Sequence, residues 1–152
     1  MGNRRKPKTP KRAEQPETAK QPKAVEQVDT DKQAPVWRMG RLEMAGPFGW
    51  EKVDKPTAEK ILAALRHYEG TTWDDLLVAN KKHNHAIAVS RLCKPAQRRL
   101  KELQLDQIEE LVSLGSGLGN KPRIFGIRDQ NVLEVLWWDP EHQICPSNRA
   151  KN

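Results

Sequence analysis

The run PRIFGIRDQNVLEVLWWDP, residues 122–140, most constrains what this chain can fold into. Ile124, Phe125 and Ile127 make one apolar run and Val132, Leu133, Val135 and Leu136 an alternating second, and the polar triplet Asp129-Gln130-Asn131 divides the two. Alternation followed by a tight polar turn predicts two antiparallel strands joined as a hairpin. ELVSL, residues 110–114, reads as a third strand, linked through the glycine-rich GSGLGNK, so the C-terminal half is an antiparallel meander. Strand side chains alternate in direction, so Arg123, Phe125 and Ile127 point one way and Ile124, Gly126 and Arg128 the other. Trp137 and Trp138 likewise leave by opposite faces.

Helical periodicity precedes the meander. Asp54 is placed to cap a helix with Pro56 in its first turn, Ala58, Ile61, Leu62, Leu65 and Tyr68 on one face, and Gly70 as its stop. Thr72 and Asp75 have capping-box spacing for a short second helix containing Trp73, Leu76 and Leu77. Ser90 is the expected cap of a third, whose stripe is Leu92, Cys93, Ala96, Leu100 and Leu103. Pro95 delays its regular part to near Lys94. Residues 37–53 read as a short strand and a turn that buries Phe48 and Trp50. The fold class is therefore α+β over residues 36–152, one domain, with the helices packed on one face of a small antiparallel sheet.

Residues 1–35 differ in kind. They contain five prolines and no aromatic residue, leucine or isoleucine, too little apolar surface to offset the entropy of ordering a backbone. A disordered tail is expected there. It carries nine Lys or Arg against five Asp or Glu, and its basic cluster (Arg4, Arg5, Lys6, Lys8, Lys11, Arg12) can hold a polyanion, serve as an address or keep the chain soluble. No apolar run reaches the ~20 residues that span a bilayer, so no membrane partner and a cytoplasmic location are expected.

The hairpin brings the end of its second strand, Trp137 to Asp139, beside the Arg123 end of the first. Lys121 and Arg123 thus come near Glu141 and His142. A cation that holds a phosphate beside an imidazole and a carboxylate that move a proton suits cleavage of RNA by its own 2′-hydroxyl, without metal. The structural alternative is that Glu141 and His142 belong to an Asp-Pro turn and Arg123 pairs with Asp139; the spacing leaves both open. Trp138, near these cations, can stack a base or pack in the core. No metal and no cofactor are expected: His83, His85, Cys93, His142 and Cys145 lack zinc-ligand spacing, and GSGLGNK has no helix behind it to make a phosphate loop.

GPFGW (46–50), LCKPAQRRL (92–100) and RIFGIRDQNVLEVLWWDPEHQICPS (123–147) resemble a small family of bacterial and plasmid- or phage-borne proteins. The resemblance covers roughly residues 36–148, and the C-terminal half, through its helix-then-meander pattern, is similar to the RelE/ParE superfamily of toxin-antitoxin toxins. That resemblance implies a metal-free, ribosome-dependent endoribonuclease acting on messenger RNA, with RNA or the ribosome and an antitoxin protein as partners. On it, His142 and Arg123 are the catalytic candidates, with Lys121 and Arg128 as substrate-binding auxiliaries; the reading of the residues themselves adds Glu141 as a catalytic candidate and Trp138 as a substrate-binding one. The alternative is a non-catalytic RNA- or protein-binding module that uses the basic tail and the sheet surface.

Overall fold

Backbone pairing closes the expected hairpin. In a computed structural model that describes Gly2 and residues 28–146, Arg123–Asp129 pairs antiparallel with Val132–Asp139, from Asp129↔Val132 at the turn to Arg123↔Asp139 at the open end. Numbered along the chain, the elements are β1 (Val36–Arg38), α1 (Lys55–Glu69), β2 (His85–Ala88), α2 (Lys94–Glu102), β3 (Glu110–Leu114), β4 (Arg123–Asp129) and β5 (Val132–Asp139). The sheet order is β1-β5-β4-β3-β2. The meander β3-β4-β5 is its centre; β2 extends it antiparallel, and β1 lies parallel to β5. The sheet is therefore mixed and five-stranded, larger than the three-stranded meander expected.

Local signals fix the helices. The Asp54 carboxylate accepts the Thr57 amide at 2.9 Å, and Pro56 sits in the first turn of α1, where a missing N–H costs nothing. Thr72 and Asp75 exchange reciprocal side-chain-to-amide hydrogen bonds, both 3.1 Å, before a single π-type turn at Asp75–Ala79. At α2, Ser90 does not cap. It lies in a 3-10 turn, Val89–Arg91, and the helix starts at Lys94 with Cys93 at the N-cap position. Pro95 explains the delay, since its ring excludes a helical turn before it.

The helices do not share one face of the sheet, as the sequence reading expects. Ile61, Ala64, Leu65 and Tyr68 of α1 pack with Trp73 and Leu76 on Val112, Leu114, Ile124, Leu133, Val135 and Trp138. Ala96 and Leu100 of α2 pack on the other face, with Leu111, Phe125, Leu136 and Trp137. A register shift at Phe125/Gly126 causes part of this: Phe125 pairs with Trp137 and Gly126 with Val135, so Leu136 is the extra residue of a bulge. Leu136 and Trp137 thereby join the same side, and β5 is apolar on both faces. A strand buried on both faces needs cover from both.

Most of the expected tail, residues 1 and 3–27, lies outside the described residues, as do residues 147–152. Residues 29–35 belong to the fold: Trp73 N donates to Gln33 O at 3.1 Å, Val36 N to Asn131 O at 2.9 Å, and Asp31 pairs with Arg128. The described fold thus includes residues 29–35, ahead of Val36.

Candidate functional site

β5 ends in a built turn. Asp139 is buried, and its two carboxylate oxygens accept the amides of Gln143 and Ile144, each at 2.9 Å. A carboxylate that binds two amides ahead of it wraps the chain into a compact turn, and Ile144 fills the core beneath. Inside that turn His142 adopts the left-handed backbone, φ 58°. Asp139 and Pro140 therefore hold the segment that presents Glu141 and His142.

Arg123 lies under this turn, not on an open surface. It is 6% exposed, and its Nη1 donates to Pro122 O at 2.8 Å and Gly119 O at 3.3 Å. Burial lowers its pKa, while the nearby Asp139 and Tyr68 act the other way. Gly115 completes the enclosure: a Cβ there would stand 2.6 Å from Nη1, so only glycine leaves room for the guanidinium. The glycine-rich loop from Gly115 to Lys121 is pinned. Asn84, fully buried, accepts the amides of Gly115 and Ser116 and donates to Ser116 Oγ and Leu76 O. Tyr68 Oη donates to Ser116 O, and Leu118 is buried.

The remaining candidates diverge. Lys121 and Glu141 meet at 3.5 Å, but their side chains are 70% and 61% exposed, a pairing of little energetic weight. Glu141 opens onto a cleft of about 450 Å³ shared with Phe48, Lys52, Pro122 and Trp138. His142 opens onto a different cleft of about 260 Å³, with His85, Arg91 and Cys145. Burial, then the Arg123 charge and His85, lower the His142 pKa against the opposing pull of Asp139, which favours the neutral imidazole. Burial likewise pushes the Cys145 thiol up. Arg128 stands at the far end of the hairpin, over the Trp73 ring at 4.6 Å and paired with Asp31. Trp138 is 7% exposed and packs on Trp50 at 5.6 Å between centroids. So the turn carries Glu141 to Lys121 and His142 into a separate cleft, with Arg123 buried nearby, while Arg128 is remote and Trp138 is in the core.

A second feature escapes a reading based on strand ends. Residues 81–101, KKHNHAIAVSRLCKPAQRRLK, hold seven Lys or Arg and no acid. Lys94, Arg98 and Lys101 stand four and three residues apart on α2, opposite the buried Ala96 and Leu100, and form one exposed stripe, with Arg91 exposed in the turn before the helix. Among the described residues only Arg99 of the seven has carboxylates within 4 Å, Glu43 and Glu102. Arg99 is structural: Glu43 also accepts Trp137 Nε1 at 2.7 Å, which ties the segment after β1 to α2. His85 and Arg91 lie where this basic run meets the His142 cleft. Mapping acids along the sequence finds the run, whereas the summed charge of the domain conceals it.

Among the described residues no three His, Cys, Asp or Glu stand together as a metal site, and no helix is long and apolar enough to cross a membrane. No family model matches the chain, and no solved structure matches it. The chain is similar to a glucokinase of Rhizobium leguminosarum bv. trifolii (strain WSM2304), 30% identical over 89 residues, which are 59% of this chain and 26% of that protein, so the likeness spans about a quarter of the relative's length.

Proposed function

We propose that this domain is an RNA-binding module whose contact face runs from the His85–Arg91–His142 cleft along the Lys94–Arg98–Lys101 stripe of α2. The observation that carries the reading is that these exposed cations have no carboxylate partner among the described residues. Unneutralised cations at helical spacing follow a phosphate backbone, and the entropy of released counterions favours their binding. Helices cover both faces of the sheet, which directs the module's contact to α2 and the cleft rather than to the sheet surface. The test uses the full chain and a labelled single-stranded RNA. Replacing Arg91, Lys94 and Arg98 together by Ala, with melting temperature unchanged, is expected to weaken binding on the order of tenfold or more at low salt. Unchanged affinity would overturn the reading.

The RelE-like endoribonuclease reading, a toxin acting on message at the ribosome and held by an antitoxin, is favoured by one arrangement. His142 shares its cleft with Arg91 and His85, so an imidazole able to move a proton stands near a cation able to hold a phosphate. Arg123, enclosed by backbone carbonyls, would then position the turn, and Glu141 would lie outside the reaction. Induced expression of wild type, His142→Asn and Arg91→Ala tests it. Growth arrest and message cleavage by wild type, lost on the order of a hundredfold in both variants, would support it. Arrest that both variants retain would overturn it.

A further inference from the structure

The two cysteines are 52 positions apart in sequence and adjacent in the fold. Cys93 N, at the start of α2, donates to Ile144 O at 2.7 Å. A carbonyl oxygen lies about 2.8 Å from the Cα of the following residue, so this bond holds the Cα atoms of Cys93 and Cys145 within roughly 6.5 Å, inside the range that disulfides span. The Cys145 Sγ is turned toward the same strand of chain, 3.8 Å from Arg91 O. Both thiols are free and half-buried.

We infer that Cys93 and Cys145 are a thiol pair that closes to an intramolecular disulfide when the protein meets a low-molecular-weight disulfide such as oxidised glutathione. One cysteine thiolate attacks the reagent, its proton passes to solvent, and one reduced thiol leaves a mixed disulfide behind. The second cysteine, also deprotonated, attacks the protein sulfur of that mixed disulfide and expels the second reduced thiol. The pair is oxidised by two electrons, and the reagent is reduced by the same two. The bond would fasten the wall of the cleft formed by His142 and Cys145 to Arg91 and the start of α2. Its formation does not depend on what the cleft binds.

The test treats the folded full chain with oxidised glutathione, quenches with acid, and reads intact mass, linked peptides and melting temperature. The expected product is monomeric, two hydrogens lighter, linked between Cys93 and Cys145, and reversed by dithiothreitol. It should melt on the order of ten degrees higher, because a loop this long loses much unfolded-state entropy when closed. Cys93→Ser and Cys145→Ser should each stop at a stable glutathione adduct on the remaining cysteine. Adducts on both cysteines of the wild type, or dimers linked between chains, with no internal bond, would overturn the inference.

Discussion

Replacing Arg123 separates a residue that acts on a ligand from one that holds the fold. Its guanidinium makes hydrogen bonds at 2.8 and 3.3 Å to Pro122 O and Gly119 O, and its stem packs beside Gly115 in a site 6% exposed. Truncation to Ala removes two methylenes, about 1.6 kcal/mol of burial. It also leaves two carbonyls without their charged donor, about 1.5–3 kcal/mol, and regains part of the cost of burying the cation. The net expectation is a loss of about 2–3 kcal/mol. Arg123→Met keeps the stem and loses the hydrogen bonds, so it should recover about 1.5 kcal/mol of that. Urea unfolding followed by tryptophan fluorescence reads both; with a slope near 1.5 kcal/mol/M, the midpoint should fall by about 1.3–2 M for Ala and by about 0.3–1 M for Met. If both variants unfold within about 0.5 kcal/mol of wild type yet lose RNA affinity or cleavage, the structural assignment fails.

Three further outcomes concern Asn84, His142 and Tyr68. Asn84→Ala orphans Gly115 N, Ser116 N and Leu76 O, and should cost about 3 kcal/mol in the same unfolding assay, so a loss under about 1 kcal/mol would contradict the pinned loop. The lowered pKa of His142 means that the unfolded chain takes up the proton first. Its contribution is therefore present above the ordinary value of 6.5 and is lost as pH falls toward the folded value. His142→Asn, which accepts the same left-handed backbone, should flatten the fall in melting temperature below pH 6.5, and an unchanged slope would refute the assignment. Tyr68, the single tyrosine, is pushed up to about 12 by burial despite the Arg123 charge, so its stabilising effect is complete below the ordinary 10 and is lost as pH rises through about 12. An ultraviolet titration should show no tyrosinate near pH 10 while the fold persists, and ionisation there would contradict its burial.

What the sequence discloses here is mostly local. The β4–β5 hairpin, the Asp54 cap, the Thr72–Asp75 box and the start of α2 beside Pro95 each depend on residues a few positions apart, and each is present in the fold. Pairing between distant segments is not so encoded. Nothing in Val36-Trp37-Arg38 specifies a parallel partner in β5, and nothing in His85–Ala88 specifies β3. The uninterrupted apolar run Val135–Trp138 does imply burial on both faces, but the bulge at Leu136 decides which side chains share a face. The site shows the same division. Hairpin register places Arg123 beside Asp139, whereas its enclosure depends on Gly115 and Pro122 and on a loop pinned by Asn84, which strand alternation does not report.

The salt dependence of RNA binding tests the central claim most directly, because it counts phosphate contacts independently of sequence recognition. Each cation contacting a phosphate of single-stranded RNA adds about 0.7 to the slope of log affinity against log salt. For the full chain, replacing Arg91, Lys94 and Arg98 together by Ala should therefore reduce the magnitude of that slope by about 2 and bring the affinities of variant and wild type together as salt rises. Equal slopes for variant and wild type, or a wild type that fails to bind RNA at low salt, would contradict the account.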